Sequence, residues 1–304
     1  MRLRMIALVL AAAAVTHAPA VAQTATQAKM NVVATFSILG DFVRQVGGER
    51  IALVTLVGPD GDAHVYSPTP TDARRVAEAK MVFTNGLGFE GWMSRLVKSS
   101  GSKAVTVEAA KGIATIRTGE RDRHAHGHGS VDPHGWQSVA NAKLYVAHIR
   151  DALVKADPTG REVYERNATD YLARLERLED EVKATVARIP AERRKVIMSH
   201  EAFAYFERDH GLDFIAPQGV STEAEASAKD VARIIAQIRR EKIPAVFLEN
   251  VSDPRLIERI AEETGTRIGG RLYSDALSGE GGPAATYIDM MRHNIRAFSE
   301  ALSL

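Results

Sequence analysis

The chain has 304 residues, 45% of them hydrophobic and 25% charged, with 39 basic against 38 acidic side chains and no cysteine. That length suits two domains with their own cores, and the near-average composition excludes collagen, coiled coil and long disorder. A formal charge of +1 gives no basic surface for nucleic acid, and the missing cysteines remove disulfides, thiolate nucleophiles and Cys-ligated metal sites.

Arg2 and Arg4 precede an apolar run from Met5 to Val15, and Ala20-Val21-Ala22 closes it. This reads as a secretory signal peptide, residues 1–22, cleaved after Ala22. The run is well short of the roughly 20 residues needed to span a bilayer. Loss of Arg2 and Arg4 turns the net charge to −1. With no cysteine at the cleavage point, a thioether lipid anchor is not expected. The expectation is an exported, soluble protein of the periplasm.

An N-terminal α/β lobe is expected over 30–155. Strands are predicted at 31–37, 51–57, 81–84 and 104–108, with helices at 38–46, 71–79, 89–98 and 141–155 between and after them. Residues 118–133 are polar, rich in Gly and His, and lack apolar periodicity, so they read as a surface loop. A linking helix is expected over 157–189, with Tyr164, Tyr171, Leu175, Leu178 and Val182 at helical spacing and Pro190 as its stop. A second α/β lobe, 190–304, alternates strands at 196–199, 213–216, 245–248 and 268–272 with helices, the last at 284–302. Strands alternating with helices imply parallel sheets. The fold class is therefore α/β: two lobes with parallel sheets joined by one long helix.

Four residues fall at the carboxyl ends of predicted strands: His64, His134, His200 and Asp275. Ligands of open α/β sheets bind at that edge, and two of the four come from each lobe. Three imidazoles and a carboxylate form a tetrahedral N3O set suited to Zn²⁺, whereas Mg²⁺ and Ca²⁺ favour all-oxygen shells. Surface or capping roles remain open for each His at this point. His124, His126 and His128 alternate within the loop and read either as an auxiliary metal-collecting run or as a solvated segment. Glu249 ends a strand and reads as a helix cap or, less favoured, as an acceptor for a ligand His. His148, His210 and His293 lie in or beside helices and read as structural. Ser199-His200-Glu201 is not a His-Glu-x-x-His zinc protease site, because Ala204 stands where the second His belongs, and no phosphate-binding glycine loop is present.

These residues resemble the solute-binding proteins of zinc and manganese ABC importers, the ZnuA/TroA-like group also called cluster 9 or cluster A-I. The resemblance runs through Asp62-Ala63-His64-Val65-Tyr66-Ser67-Pro68, Asn85-Gly86-Leu87-Gly88-Phe89-Glu90, Asp132-Pro133-His134-Gly135-Trp136, Ser199-His200-Glu201-Ala202-Phe203, Gln218-Gly219-Val220-Ser221-Thr222 and Tyr273-Ser274-Asp275-Ala276. It implies a single metal in the inter-lobe cleft, held by His64, His134, His200 and Asp275. It also implies a non-enzymatic monomer that hands metal to an ABC permease in the inner membrane, with a periplasmic metallochaperone as a further candidate partner. Imidazole at position 200, where manganese-type members tend to carry Glu, favours Zn²⁺ over Mn²⁺, and Mn²⁺ is the alternative cargo. A zinc hydrolase or a metal-dependent adhesin is a more distant reading. Metal affinity is expected to fall steeply below about pH 6, because imidazole must lose its proton to bind.

Overall fold

Eight short strands form two separate four-stranded sheets in a computed structural model that describes residues 28–117 and 131–303. The segment expected to be a signal peptide, residues 1–22, and His124, His126 and His128 lie outside the described residues. The first sheet contains β1 (Met30–Phe36), β2 (Ile51–Val57), β3 (Met81–Thr84) and β4 (Val105–Glu108), in the order β2-β1-β3-β4. Every pairing is parallel. The second contains β5 (Lys195–Ile197), β6 (Asp213–Ile215), β7 (Ala245–Glu249) and β8 (Arg267–Leu272), in the order β6-β5-β7-β8, again all parallel. The two lobes thus repeat one topology, with a switch of direction between β1 and β3 and between β5 and β7. Ligands are expected beyond the carboxyl ends of strands at such switch points.

Parallel strands need crossover helices. The first lobe supplies α1 (Ser37–Gly47), α2 (Pro70–Glu78) and α3 (Met93–Ser100). The second supplies α6 (Ala204–His210), α7 (Ala228–Glu241) and α8 (Arg255–Thr264). Helix starts follow local chemistry. Thr69 and Asp72 form a reciprocal capping box with Pro70 in the first turn of α2, which satisfies donors that the helix leaves open. Ser227 caps α7 in the same side-chain-to-backbone way. α3 begins at Met93, not at the expected residue 89. Gly86, Leu87 and Gly88 all have positive φ, so the chain coils through a left-handed turn before a helix can form.

Between the lobes run α4 (Val139–Ala156) and α5 (Arg161–Val186). The 26 residues of α5 span about 39 Å at 1.5 Å per residue. Tyr164, Ala168, Tyr171, Leu175, Leu178 and Val182 form its buried stripe, which packs on α1, α4 and the closing helix α9 (Tyr287–Leu302). The helix stops three residues short of the expected Ile189. Arg194 reaches back to the carbonyls of Ile189 and Val186 at 3.1 and 3.3 Å, tying the chain into a turn there. One continuous apolar core extends from Val32 through α4 and α5 to Phe298, and a smaller cluster around Ile234 and Ile260 fills the other face of the second sheet. The link is therefore part of the core. Leu178→Ala should lower stability by about 2–5 kcal/mol through the cavity it leaves, read as a shift in the urea midpoint of the metal-free protein. Among the described residues, no helix is long and apolar enough to cross a membrane.

Candidate metal centre

His64 lies on the loop between β2 and α2, His134 on the turn before α4, His200 just past β5 and Asp275 just past β8. One ligand-capable atom from each lies within 4.8 Å of all the others. His64 Nε2 is 3.3 Å from His134 Nε2 and 3.3 Å from Asp275 Oδ2. His200 Nε2 is 3.1 Å from Asp275 Oδ2. Asp275 Oδ1 faces His134 Nε2 at 3.6 Å, beyond hydrogen-bond reach, and has no hydrogen-bond partner among the described residues. A buried carboxylate oxygen left without a donor is costly unless something else fills that role.

Each buried imidazole is held from behind by a carboxylate. Asp132 Oδ1 accepts from both the His134 backbone N–H at 2.9 Å and its Nδ1 at 2.8 Å, so Nε2 is turned to the cluster. Glu249 Oε1 accepts from the backbone N–H groups of Ser199 and His200 at 2.7 and 3.0 Å. Its Oε2 stands 2.7 Å from His200 Nδ1, off the line a hydrogen bond needs. Glu249 caps no helix, since α8 starts only at Arg255. It orders the His200 turn through those two backbone groups. A carboxylate bonded to Nδ1, as Asp132 is, fixes the tautomer and raises the basicity of the imidazole.

Asp132 received no role from the sequence, yet a signal was there. Asp62-Ala63-His64 has the same spacing, and Asp62 Oδ1 likewise accepts the His64 backbone N–H, at 2.8 Å. The repeated Asp-x-His is a turn in which the carboxylate shapes the His two residues on. The His134 turn is also tied across the cleft: Trp136 Nε1 and Gln137 Nε2 both donate to the carbonyl of Ser274, at 2.9 and 2.7 Å. Tyr205 of α6 donates to the carbonyl of Asp132 at 2.8 Å. Among the remaining histidines, His148 donates to the Ala109 carbonyl and His293 to the Arg271 carbonyl, while His210 sits apart beside Phe206.

Burial and charge pull in opposite directions on these groups. Burial disfavours the charged form of His134, but Asp275 and Asp132 overcome it and push its pKa up to about 9. Burial likewise opposes charge on His200, and Glu249 and Asp275 raise its pKa well above the usual imidazole value. Burial works against ionisation of Asp275 too, yet His200 and His134 hold its carboxyl well below the usual range.

Residues 32–301 match the family described as zinc-uptake complex component A, periplasmic. The chain belongs to that family. Its members are substrate-binding proteins of metal ABC importers. The manganese-binding lipoprotein MntA of Halalkalibacterium halodurans is 35% identical over 274 residues, covering 90% of this chain and 89% of its own. The iron-binding protein YfeA of Yersinia pestis is 33% identical over 271 residues, covering 89% and 85%. The periplasmic zinc-binding protein TroA of Treponema pallidum superposes with a TM-score of 0.84 at 29% identity, covering 91% of this chain and 100% of that one. The zinc-uptake family thus includes relatives named for three different metals.

Proposed function

We propose that this protein captures Zn²⁺ in the periplasm as a soluble monomer and delivers it to the permease of an ABC importer, with His64, His134, His200 and Asp275 as the ligands. One observation carries the reading: three imidazole Nε2 atoms and one carboxylate converge within 4.8 Å, drawn from both lobes. The unpartnered Asp275 Oδ1 supports it, because a cation satisfies that oxygen. Borderline imidazole donors suit Zn²⁺ better than hard all-oxygen cations. Asp275 occupies the fourth position, which a zinc hydrolase would leave to water, so a carrier fits the site better than an enzyme does.

A second cargo, Mn²⁺, is favoured by one feature. Both oxygens of Asp275 face imidazoles, at 3.1 to 3.6 Å, and a bidentate carboxylate would supply the higher coordination and extra oxygen that suit Mn²⁺. Native mass spectrometry with equimolar Zn²⁺ and Mn²⁺ decides between them. The expected result is one Zn²⁺ per chain; predominant Mn²⁺ reverses the assignment, and no retained metal removes the ligand set. Deleting residues 123–130 should leave the affinity within about threefold, whereas His64→Ala should lower it roughly a hundredfold. Equal losses in the two variants would place the loop in the primary site.

A further inference from the structure

Of the four clustered residues, His134, His200 and Asp275 have side chains with no exposed surface, while the side chain of His64 is 5% exposed. Its neighbour Val65 is 49% exposed. On the far side, a cavity of about 280 Å³ lined by Asp132, His200, Phe203 and Arg233 leaves the His200 ring covered. Of the four side chains only that of His64 reaches the surface, on the loop that carries it, residues 58–69.

That loop is fastened to the opposite lobe at three points. The Asp60 backbone N–H donates to the Leu277 carbonyl at 2.9 Å, and Asn250 Nδ2 donates to Asp60 Oδ1 at 3.0 Å. The third tie is the shortest: Thr222 Oγ1 donates to Asp62 Oδ2 at 2.6 Å across 160 positions of sequence. The other oxygen of the same carboxylate holds the His64 backbone N–H. Asp62 is thus shared, one oxygen shaping the turn of His64 and the other reaching across the cleft. Thr222 stands in an irregular stretch, and both Thr222 and Asp62 are half-buried, so this contact can open without disturbing either core.

We propose that the Thr222–Asp62 hydrogen bond is a clasp that holds the His64 loop shut over the cargo and sets the rate at which metal leaves. The inference rests on the ligand assignment made above. A hydroxyl donating to a carboxylate is among the stronger uncharged-donor bonds in a protein, and its partial burial limits replacement by water. Removing the donor shortens the residence of the metal, because the loop then swings His64 away without first breaking that bond.

The test is stopped-flow release of Zn²⁺ from the full protein into excess chelator. Thr222→Val keeps the shape and removes the hydroxyl; release should accelerate roughly tenfold. Thr222→Ser restores the hydroxyl and should restore the slow release. The melting temperature of metal-free Thr222→Val should fall by no more than about 2–4 °C, the loss of one hydrogen bond, which separates the clasp from a general loss of stability. Release within twofold of the parent in Thr222→Val, or fast release in Thr222→Ser, overturns the clasp while leaving the ligand set intact. A parent protein that retains no Zn²⁺ overturns both together.

Discussion

Zn²⁺ binding at pH 7 is expected to expel about two protons, and the apparent affinity to keep rising with pH until about pH 9. The pKa of His134 is pushed up to about 9 and that of His200 stands well above the ordinary imidazole value. Both rings are therefore protonated in the metal-free protein at neutral pH, and each must shed its proton to offer Nε2 as a ligand. The total charge of the metal-free cluster includes the two imidazolium protons that the neighbouring carboxyl groups favour. A divalent ion replacing two protons leaves that total unchanged. The site therefore exchanges protons for metal at constant charge, which limits the electrostatic reorganisation of a buried centre.

The sign follows from which state holds the protons. Protons compete with metal below a pKa, so affinity falls as pH falls through about 9, by up to about tenfold per proton per pH unit. An ordinary imidazole set with pKa near 6.5 would instead be flat above pH 7. The expectation drawn from the sequence, a steep loss beginning near pH 6, thus moves upward because the buried carboxylates were not visible as neighbours. Calorimetry in buffers of different protonation enthalpy counts the protons, and isotherms from pH 5.5 to 9 give the slope. Proton release near zero at pH 7, or flat affinity from pH 7 to 8, contradicts the arrangement. Linkage gives a companion effect. The raised pKa of His134 contributes stability to the metal-free fold below about pH 6.5, and that contribution is lost as pH rises through about 9. The gap between metal-bound and metal-free melting temperatures should accordingly widen over the same interval.

Much of the architecture was legible in the residues, for physical reasons that differ by element. Met81–Thr84 is a short run with all four residues buried, and such runs read directly as central strands. The stripe from Tyr164 to Val182 announced the linking helix, because only a 3.6-residue period puts those side chains on one face. What local pattern does not encode is which strands pair: the shared order of the two sheets depends on crossovers. The late start of α3 was hidden because Leu87, a residue with no special tolerance for positive φ, adopts φ 57 between two glycines. The four residues that cluster were visible as His and Asp at strand ends, but their supports were only partly so. Asp132 was within reach through the repeated Asp-x-His. The Thr222–Asp62 tie was not, since its partners are far apart in sequence and neither belongs to a regular element.

Asp275→Ala is expected to lower Zn²⁺ affinity roughly 10²–10³-fold. Binding free energies of about 10–16 kcal/mol for four-ligand zinc sites give about 2.5–4 kcal/mol per ligand. Asp275 has a further function in this protein. It is the one group that faces all three imidazoles, at 3.1 to 3.6 Å, and it is the foremost of the charges that raise the pKa of His134. Its removal therefore also lets burial pull that pKa down, so the variant should release fewer protons than the parent when it binds metal at pH 7. Asp275→Asn keeps the bulk and one carbonyl oxygen while discarding the charge, and should fall between Ala and the parent in affinity while matching Ala in proton count. Glu249→Gln, which touches His200 only from behind, should cost about 10–100-fold. Competition titrations against a chelator rank the variants. If Asp275→Ala binds within tenfold of the parent, the carboxylate is not in the coordination shell and the three imidazoles hold the ion with some other fourth group. If it binds weakly but still expels two protons, Asp132 and Glu249 alone keep the imidazoles charged, and the electrostatic role assigned to Asp275 fails while its role as a ligand stands.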